Sequence, residues 1–302
     1  MKTITKNLLH EAIKMRLPLS SIQKVLTDGA DINGLNVDGY SPLIEAIDAQ
    51  MDEVALYLVD QGADVFFKHT SGTDALYFAV YHGSLEVYDR LVEAGADPTI
   101  PSGDWPLLNV LCSRAHKFKG RRMRVFKRIN GIETLVTDPN EVAKVAGADR
   151  YANFQEIGKK LLAKGADVNA PGGDANQSPL LLCASHGDLE LATWLLDKGA
   201  EVNTKDNFGL SPLHWASRKG HRKVVKLLLE RGANPNAQES YGFTPLHEAA
   251  ENNWGQIVGM LLEAGANKEL GLTRSFPPYG VGDTALDIAK RKPCIHIIPL
   301  LS

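Results

Sequence analysis

The sequence predicts an all-α array of repeated helix pairs, and two phrases recurring in fixed register carry that prediction. A Gly-Ala pair stands at Gly29-Ala30, Gly62-Ala63, Gly95-Ala96, Gly165-Ala166, Gly199-Ala200, Gly232-Ala233 and Gly265-Ala266, at spacings of 33, 33, 70, 34, 33 and 33 residues. A second phrase runs YSPLIEA from Tyr40, SPLLLCA from Ser178, SPLHWAS from Ser211, TPLHEAA from Thr244 and TALDIA from Thr284. With 302 residues, 44% hydrophobic and 23% charged, the chain has ordinary globular composition and a length at which a single core tends to divide. A linear array suits both the length and the period.

Each unit reads in the same order. Ser or Thr is placed to cap a first helix whose first turn holds Pro, a residue with no amide proton to lose there. In the unit from Asp206 to Gln238, Leu213 and Ala216 mark the packed face of that helix and Gly220 allows the turn. Val224, Val225, Leu227, Leu228 and Leu229 supply a second helix, which Gly232 closes in the left-handed conformation. The small Ala216 and Ala233 let neighbouring units approach closely.

The segment GLSPLHWASRKGHRKVVKLLLERGANPNA from Gly209 resembles the ankyrin repeat, whose pattern is Gly, Thr-Pro-Leu-His, Ala, Gly-His, and Leu-Leu before Gly-Ala. The resemblance covers essentially the whole chain. It implies one ankyrin-repeat solenoid of paired antiparallel helices with β-hairpin loops, each unit burying its apolar face only against neighbours. The units follow as an N-terminal capping repeat at 1–35, internal repeats at 36–68, 69–100, 101–172, 173–205, 206–238 and 239–278, and a truncated C-terminal repeat at 279–302. Lys6, Glu11, Lys14, Gln23 and Lys24 give the first repeat a polar outer side. Asp74-Ala75-Leu76-Tyr77 and Thr284-Ala285-Leu286-Asp287 depart from the capping phrase, which is expected to weaken those two caps. At the far end Ile295, Ile297, Ile298, Leu300 and Leu301, interrupted by Pro293 and Pro299, either cover the last unit irregularly or await a partner.

The interval of 70 residues marks an insert at 115–153, with the displaced second helix expected to begin at Phe154. Around its start RAHKFKGRRMRVFKR holds Arg114, Lys117, Lys119, Arg121, Arg122, Arg124, Lys127 and Arg128 without an acid. Asn130-Gly131 is a turn signal, and Asp138-Pro139-Asn140-Glu141 reads as the start of a helix. One reading makes the basic stretch a docking site for an acidic protein, an acidic lipid or nucleic acid, or a nuclear-import address, with Phe118, Met123, Val125 and Phe126 as apolar contacts. The other sets Val125, Phe126 and Ile129 on one helix face, anchoring a helical insert whose basic side is solvated. A shorter insert, LTRSFPP from Leu272, lengthens one hairpin loop and offers Phe276 as a contact tip or as loop packing.

The formal charge of −3, from 33 basic and 36 acidic residues, makes any electrostatic binding local. Gly280-Val281-Gly282 follows no strand, and no GxxxxGK[ST] occurs. His214 and His247 belong to the repeat phrase, where the resemblance gives them a structural hydrogen-bonding role. His82, His186 and His221 lack metal-ligand spacing. Cys183 replaces a core alanine, Cys112 falls at a more exposed register position, and Cys294 completes a set of three too sparse for a disulfide framework. The expectation is a monomeric, cytoplasmic, non-enzymatic chain with no catalytic, cofactor or metal site and no membrane insertion.

The resemblance also implies where a partner binds: the hairpin tips and the exposed side of the first helices. Transferred position by position, this selects Phe208, Leu210, Tyr241 and Phe243 with Arg218 and Lys219, then Tyr40 and Tyr81, with His82 and His186 at the edge. Four large apolar tip residues in two consecutive units exceed the needs of loop packing, although Phe208 and Tyr241 folding over adjacent tips is the alternative. The function expected is protein–protein interaction, as scaffold, adaptor or inhibitor. The alternatives are an effector delivered by a bacterium into a host cytoplasm and the targeting subunit of an enzyme complex. In a eukaryotic cell Asn169, Asn203 and Asn236 fall where the family is often hydroxylated.

Overall fold

The computed structural model describes residues 8–115, 125–129, 132–136, 150–292 and 296–302, which hold 16 helices and one two-stranded hairpin. The chain divides into two compact units, residues 1–166 and 167–302.

In the first unit α1 (Leu8–Lys14) and α2 (Leu19–Thr27) form the opening pair, followed by α3 (Pro42–Asp48) with α4 (Asp52–Asp60) and α5 (Ala75–His82) with α6 (Leu85–Glu93). Then come α7 (Leu107–Ala115), strands β1 (Val125–Ile129) and β2 (Ile132–Val136), and α8 (Arg150–Ala163). First helices stack on first helices, α1 on α3 on α5 on α7, and second helices on second helices, α2 on α4 on α6 on α8. The second unit repeats the scheme. Its elements are α9 (Pro179–His186), α10 (Leu189–Asp197), α11 (Pro212–Lys219), α12 (Arg222–Glu230), α13 (Pro245–Glu251), α14 (Gly255–Glu263), α15 (Ala285–Arg291) and α16 (Ile298–Leu301). Here α9, α11, α13 and α15 stack in one layer and α10, α12 and α14 in the other.

Each first helix starts where its side chains can satisfy an orphan amide. Ser41, Ser178, Ser211 and Thr244 accept from the backbone N–H three residues on, and Pro follows each of them. The two departures from the phrase cap as well as the rest. Asp74 accepts from Tyr77 N at 3.0 Å, and at Thr284 the Asp287 carboxylate accepts from both the Thr284 N–H and its hydroxyl. Neither cap is lost: at Asp74 a carboxylate takes the place of the hydroxyl as acceptor, and at Thr284 the hydroxyl itself accepts from Asp287 N at 3.4 Å. At the other end Gly232, with φ +85°, follows the C-cap residue Arg231 of α12 and donates its amide to Leu229 O.

The loops meet tip to tip rather than forming long ladders. Gly103 N donates to Gly72 O in the first unit; Asn207 N to Ala175 O, Ser240 N to Phe208 O and Thr273 N to Tyr241 O in the second. Asparagines reinforce the second unit: Asn169 Oδ1 accepts from Glu201 N, Asn203 Oδ1 from Asn234 N and Asn236 Oδ1 from Asn267 N, while each side-chain amide donates to the Gly carbonyl of the next Gly-Ala pair.

Three local expectations are corrected. Residues Val125–Ile129 form a strand paired antiparallel with Ile132–Val136, Ile129 opposite Ile132, and not a helix face. The cause is the β-branched and aromatic content of VFKRI and IETLV on either side of Asn-Gly. Helix α8 begins at Arg150, a full turn before Phe154, because Asn153 Nδ2 bonds Gly83 O at 3.0 Å and Phe154 is wholly buried. Cys112 is buried like Cys183, since α7 presents almost its entire surface to neighbours. The helix start at Asp138, Cys294 and Ile295 lie outside the described residues. At the end of the chain Ile297 and Leu301 are buried while Leu300 is exposed, so the closing segment covers the last helix pair.

Candidate protein-binding surface

In two hairpins of the second unit one acidic side chain decides which apolar residue faces water. Asp206 Oδ1 accepts from both Phe208 N and Leu210 N, and Glu239 Oε1 accepts from both Tyr241 N and Phe243 N. The chain is thereby folded around the carboxylate, and alternate residues point in opposite directions. Leu210 and Phe243 turn inward and are buried, whereas Phe208 is 59% and Tyr241 41% exposed. Phe243 enters a core with Leu272, Tyr279 and Ile288. The four-residue tip patch expected from the sequence therefore reduces to Phe208 and Tyr241.

Phe276, from the shorter insert, joins them. Its ring meets Tyr241 edge-on at 5.2 Å and Phe243 at 6.0 Å, and it remains 46% exposed. Tip packing and exposure thus coexist in the same residues.

Beneath the tips lies a charged floor. Arg218 donates from Nε and Nη2 to both oxygens of Glu248, at 2.7 and 2.6 Å, and its guanidinium sits 5.1 Å from the Trp215 ring. Burial pushes the Glu248 carboxyl up and the Arg218 guanidinium pulls it back. Trp215 in turn donates to Asp206 Oδ2, tying this floor to the hairpin above. Glu251 accepts from Tyr279 Oη and Lys292 Nζ. Lys219 is exposed and His186 half-buried.

The repeat histidines are structural. His214 Nδ1 accepts from Ser211 N and faces its hydroxyl, and Nε2 donates to Phe243 O in the next hairpin. His247 repeats this with Thr244 and Asp283 O. Burial pushes both imidazoles down to about 4, so they are neutral. Among the described residues no three His, Cys, Asp or Glu side chains gather as a metal site, and no helix is long and apolar enough to cross a membrane.

In the first unit Tyr40 stacks on His69 at 4.3 Å and meets Phe78 at 6.1 Å, while Tyr77 stacks with Tyr81, over which Arg114 lies at 3.6 Å. His82 is buried and bonds Asp48 at 2.9 Å, which makes it part of the packing. Lys127 and Arg128 fall on β1; Lys117, Lys119, Arg121, Arg122 and Arg124 lie outside the described residues. Sequence reasoning missed Trp215, Glu248 and Phe78. They share one register position, immediately after the histidine of the capping phrase, and counting that position through the repeats would have found them.

Stacked helix pairs joined by hairpin tips define a repeat protein. The chain belongs to the ankyrin repeat family: the model for ankyrin repeats in three copies matches residues 8–102, 147–239 and 180–272. It is similar to ankyrin repeat and SAM domain-containing protein 6 of Danio rerio, 34% identical over 155 residues, 49% of this chain and 20% of that one. Ankyrin repeat domain-containing protein 37 of Bos taurus is 47% identical over 60 residues, 20% of this chain and 38% of its own. Phosphocholine transferase AnkX of Legionella pneumophila is 26% identical over 145 residues, 48% of this chain and 14% of its own. The chain thus spans well under half of each of these relatives. Its repeats support a protein-interaction module.

Proposed function

We propose that the chain is a non-enzymatic recognition module that captures another protein through the hairpin tips and first-helix surface of its second unit, acting as scaffold, adaptor or inhibitor in a cytoplasm. The observation that carries this is the exposed trio of Phe208 and Tyr241, held outward by Asp206 and Glu239, and Phe276, packed on Tyr241, over an Arg218–Trp215 floor. Rigid aromatics and arginine dominate binding energy at protein interfaces, and water-facing rings of this size are costly without a partner. Tyr40 and Tyr81 offer a second, smaller surface on the first unit, with His82 beneath it. The test is affinity capture with quantitative mass spectrometry. It compares the intact chain, a Phe208→Ala/Tyr241→Ala variant and a variant lacking residues 115–153. A partner lost only with the double substitution supports this reading; loss only with the deletion moves the function to the basic insert, where acidic protein, acidic lipid or nucleic acid becomes the ligand class.

A second reading, the targeting arm of an enzyme or a delivered effector, draws on the similarity to a transferase of Legionella pneumophila. It requires the captured partner to carry a catalytic activity, or the host protein to be the one captured.

A further inference from the structure

The outer face of the second unit carries a groove that the tip surface does not use. It runs between α12 and α14, is open to solvent, has a volume of about 940 Å³ and is lined on its apolar part by Leu229, Met260 and Ala264. Gly259 is one of its lining residues. The position six before the glycine of each Gly-Ala pair holds Gln23, Leu56, Asp89, Lys159, Thr193 and Lys226 in the other second helices, but Gly259 in α14. A Cβ placed on Gly259 would meet nothing within 4 Å. Glycine weakens a helix interior relative to alanine, and no packing neighbour requires it here. The corresponding groove of the first unit, between α6 and α8, is bridged by a Lys160–Asp89 ion pair at 2.6 Å and holds about 310 Å³.

The groove is also polarised. Helices α12 and α14 lie with like ends together, as the bond from Arg222 Nη1 to Gln256 Oε1 at 2.7 Å shows at their starts. Arg222 and Lys223 therefore lie toward one end and Glu230 and Glu263 toward the other, with Lys226 between them and 3.8 Å from Glu230. Nine residues of helix give the groove a length of about 13.5 Å, or about two and a half turns.

We propose that this groove docks a short amphipathic helix of a partner protein, with acids in its first turn against Arg222 and Lys223 and bases in its last turn against Glu230 and Glu263. Aliphatic side chains spaced three and four residues apart fill the space over Gly259, the pattern by which helices are read in apolar grooves. Acids first and bases last also complement the guest helix's own dipole.

The test is a calorimetric titration of the intact chain with a synthetic peptide of about 14 residues. The peptide carries glutamates in its first turn, leucines along one face and lysines in its last turn. Gly259→Leu, which fills the groove, weakens binding by about tenfold or more. Gly259→Ala strengthens the same helix but leaves most of the space, so it raises the thermal midpoint and keeps the affinity. A peptide with glutamine at both ends binds more weakly than the charged one. Equal binding to Gly259→Leu, no binding to the intact chain, or a dimer in sedimentation that Gly259→Leu dissolves would each overturn the proposal, the last because the groove would then receive a second copy.

Discussion

Arg218 grips Glu248 side-on, two hydrogen bonds of 2.7 and 2.6 Å joining a guanidinium that remains 37% exposed to a carboxylate with no exposed surface. The pair links α11 to α13 and fixes the floor under the aromatic tips. Removing the guanidinium alone leaves a buried carboxylate without its partner. Arg218→Met is therefore expected to cost about 3 kcal/mol, the lower end of the range for buried pairs because Arg218 is partly solvated. The double variant Arg218→Met/Glu248→Leu recovers most of the loss. Urea unfolding of the single and double variants measures both; equal losses would contradict the expected recovery.

His10 in the first unit and His214 and His247 in the second respond to pH in opposite directions. His214 and His247, held down to about 4 by burial, are neutral in the fold and protonate near 6.5 once unfolded. Their contribution is full above about 6.5 and is lost as pH falls toward 4. At His10 burial also opposes the charged form, but the Glu45 carboxylate and the Gly34 carbonyl face both ring nitrogens and raise its pKa. Lys14, on the same helix, opposes the shift slightly. That contribution is full below 6.5 and is lost as pH rises through the raised value. Hydrogen exchange resolved by segment is expected to show α1 best protected in mild acid and α11 and α13 best protected above neutrality.

Gly232 and Gly242 share a left-handed backbone, φ +85° and +92°, but not their surroundings. A Cβ on Gly232 meets nothing within 4 Å, whereas one on Gly242 would lie 2.4 Å from Thr273 N. Gly232→Ala then costs only the left-handed strain, about 1–2 kcal/mol. Gly242→Ala must also push apart the tip contact from Thr273 N to Tyr241 O, and its thermal midpoint is expected to fall further.

The asparagine chain gives a local prediction. Asn203 donates to Gly232 O at 3.2 Å and accepts from Asn234 N at 2.9 Å. Both bonds are solvated, so Asn203→Ala is expected to cost about 1 kcal/mol and to speed exchange at Asn234 N. In the first unit Phe66 occupies the equivalent position and is 65% exposed. Phe66→Asn restores the polar bridge there and is expected to leave the thermal midpoint unchanged or higher.

The repeat was legible because its signals are local. A Ser or Thr before Pro, and a Gly before Ala, each report the backbone of one helix end, and the observed caps at Ser41, Ser178, Ser211 and Thr244 follow them. What the sequence did not reveal depends on contacts between units. Phe243 and Tyr241 look alike in a loop, and only the Glu239 carboxylate and the core of Leu272, Tyr279 and Ile288 decide that one is buried and the other exposed. The early start of α8 depends on Asn153 reaching Gly83, 70 residues away. At Val125, Phe126 and Ile129 helix spacing and strand composition competed, and the pairing with β2 prevailed.

The most direct test of the recognition surface is a hydrogen-exchange footprint of the chain with its captured partner bound. Slower exchange confined to the Asn207–Phe243 tips and the Phe276 loop, and abolished by Phe208→Ala/Tyr241→Ala, is the predicted result. Protection that leaves these tips untouched and falls on residues 115–153 would contradict it.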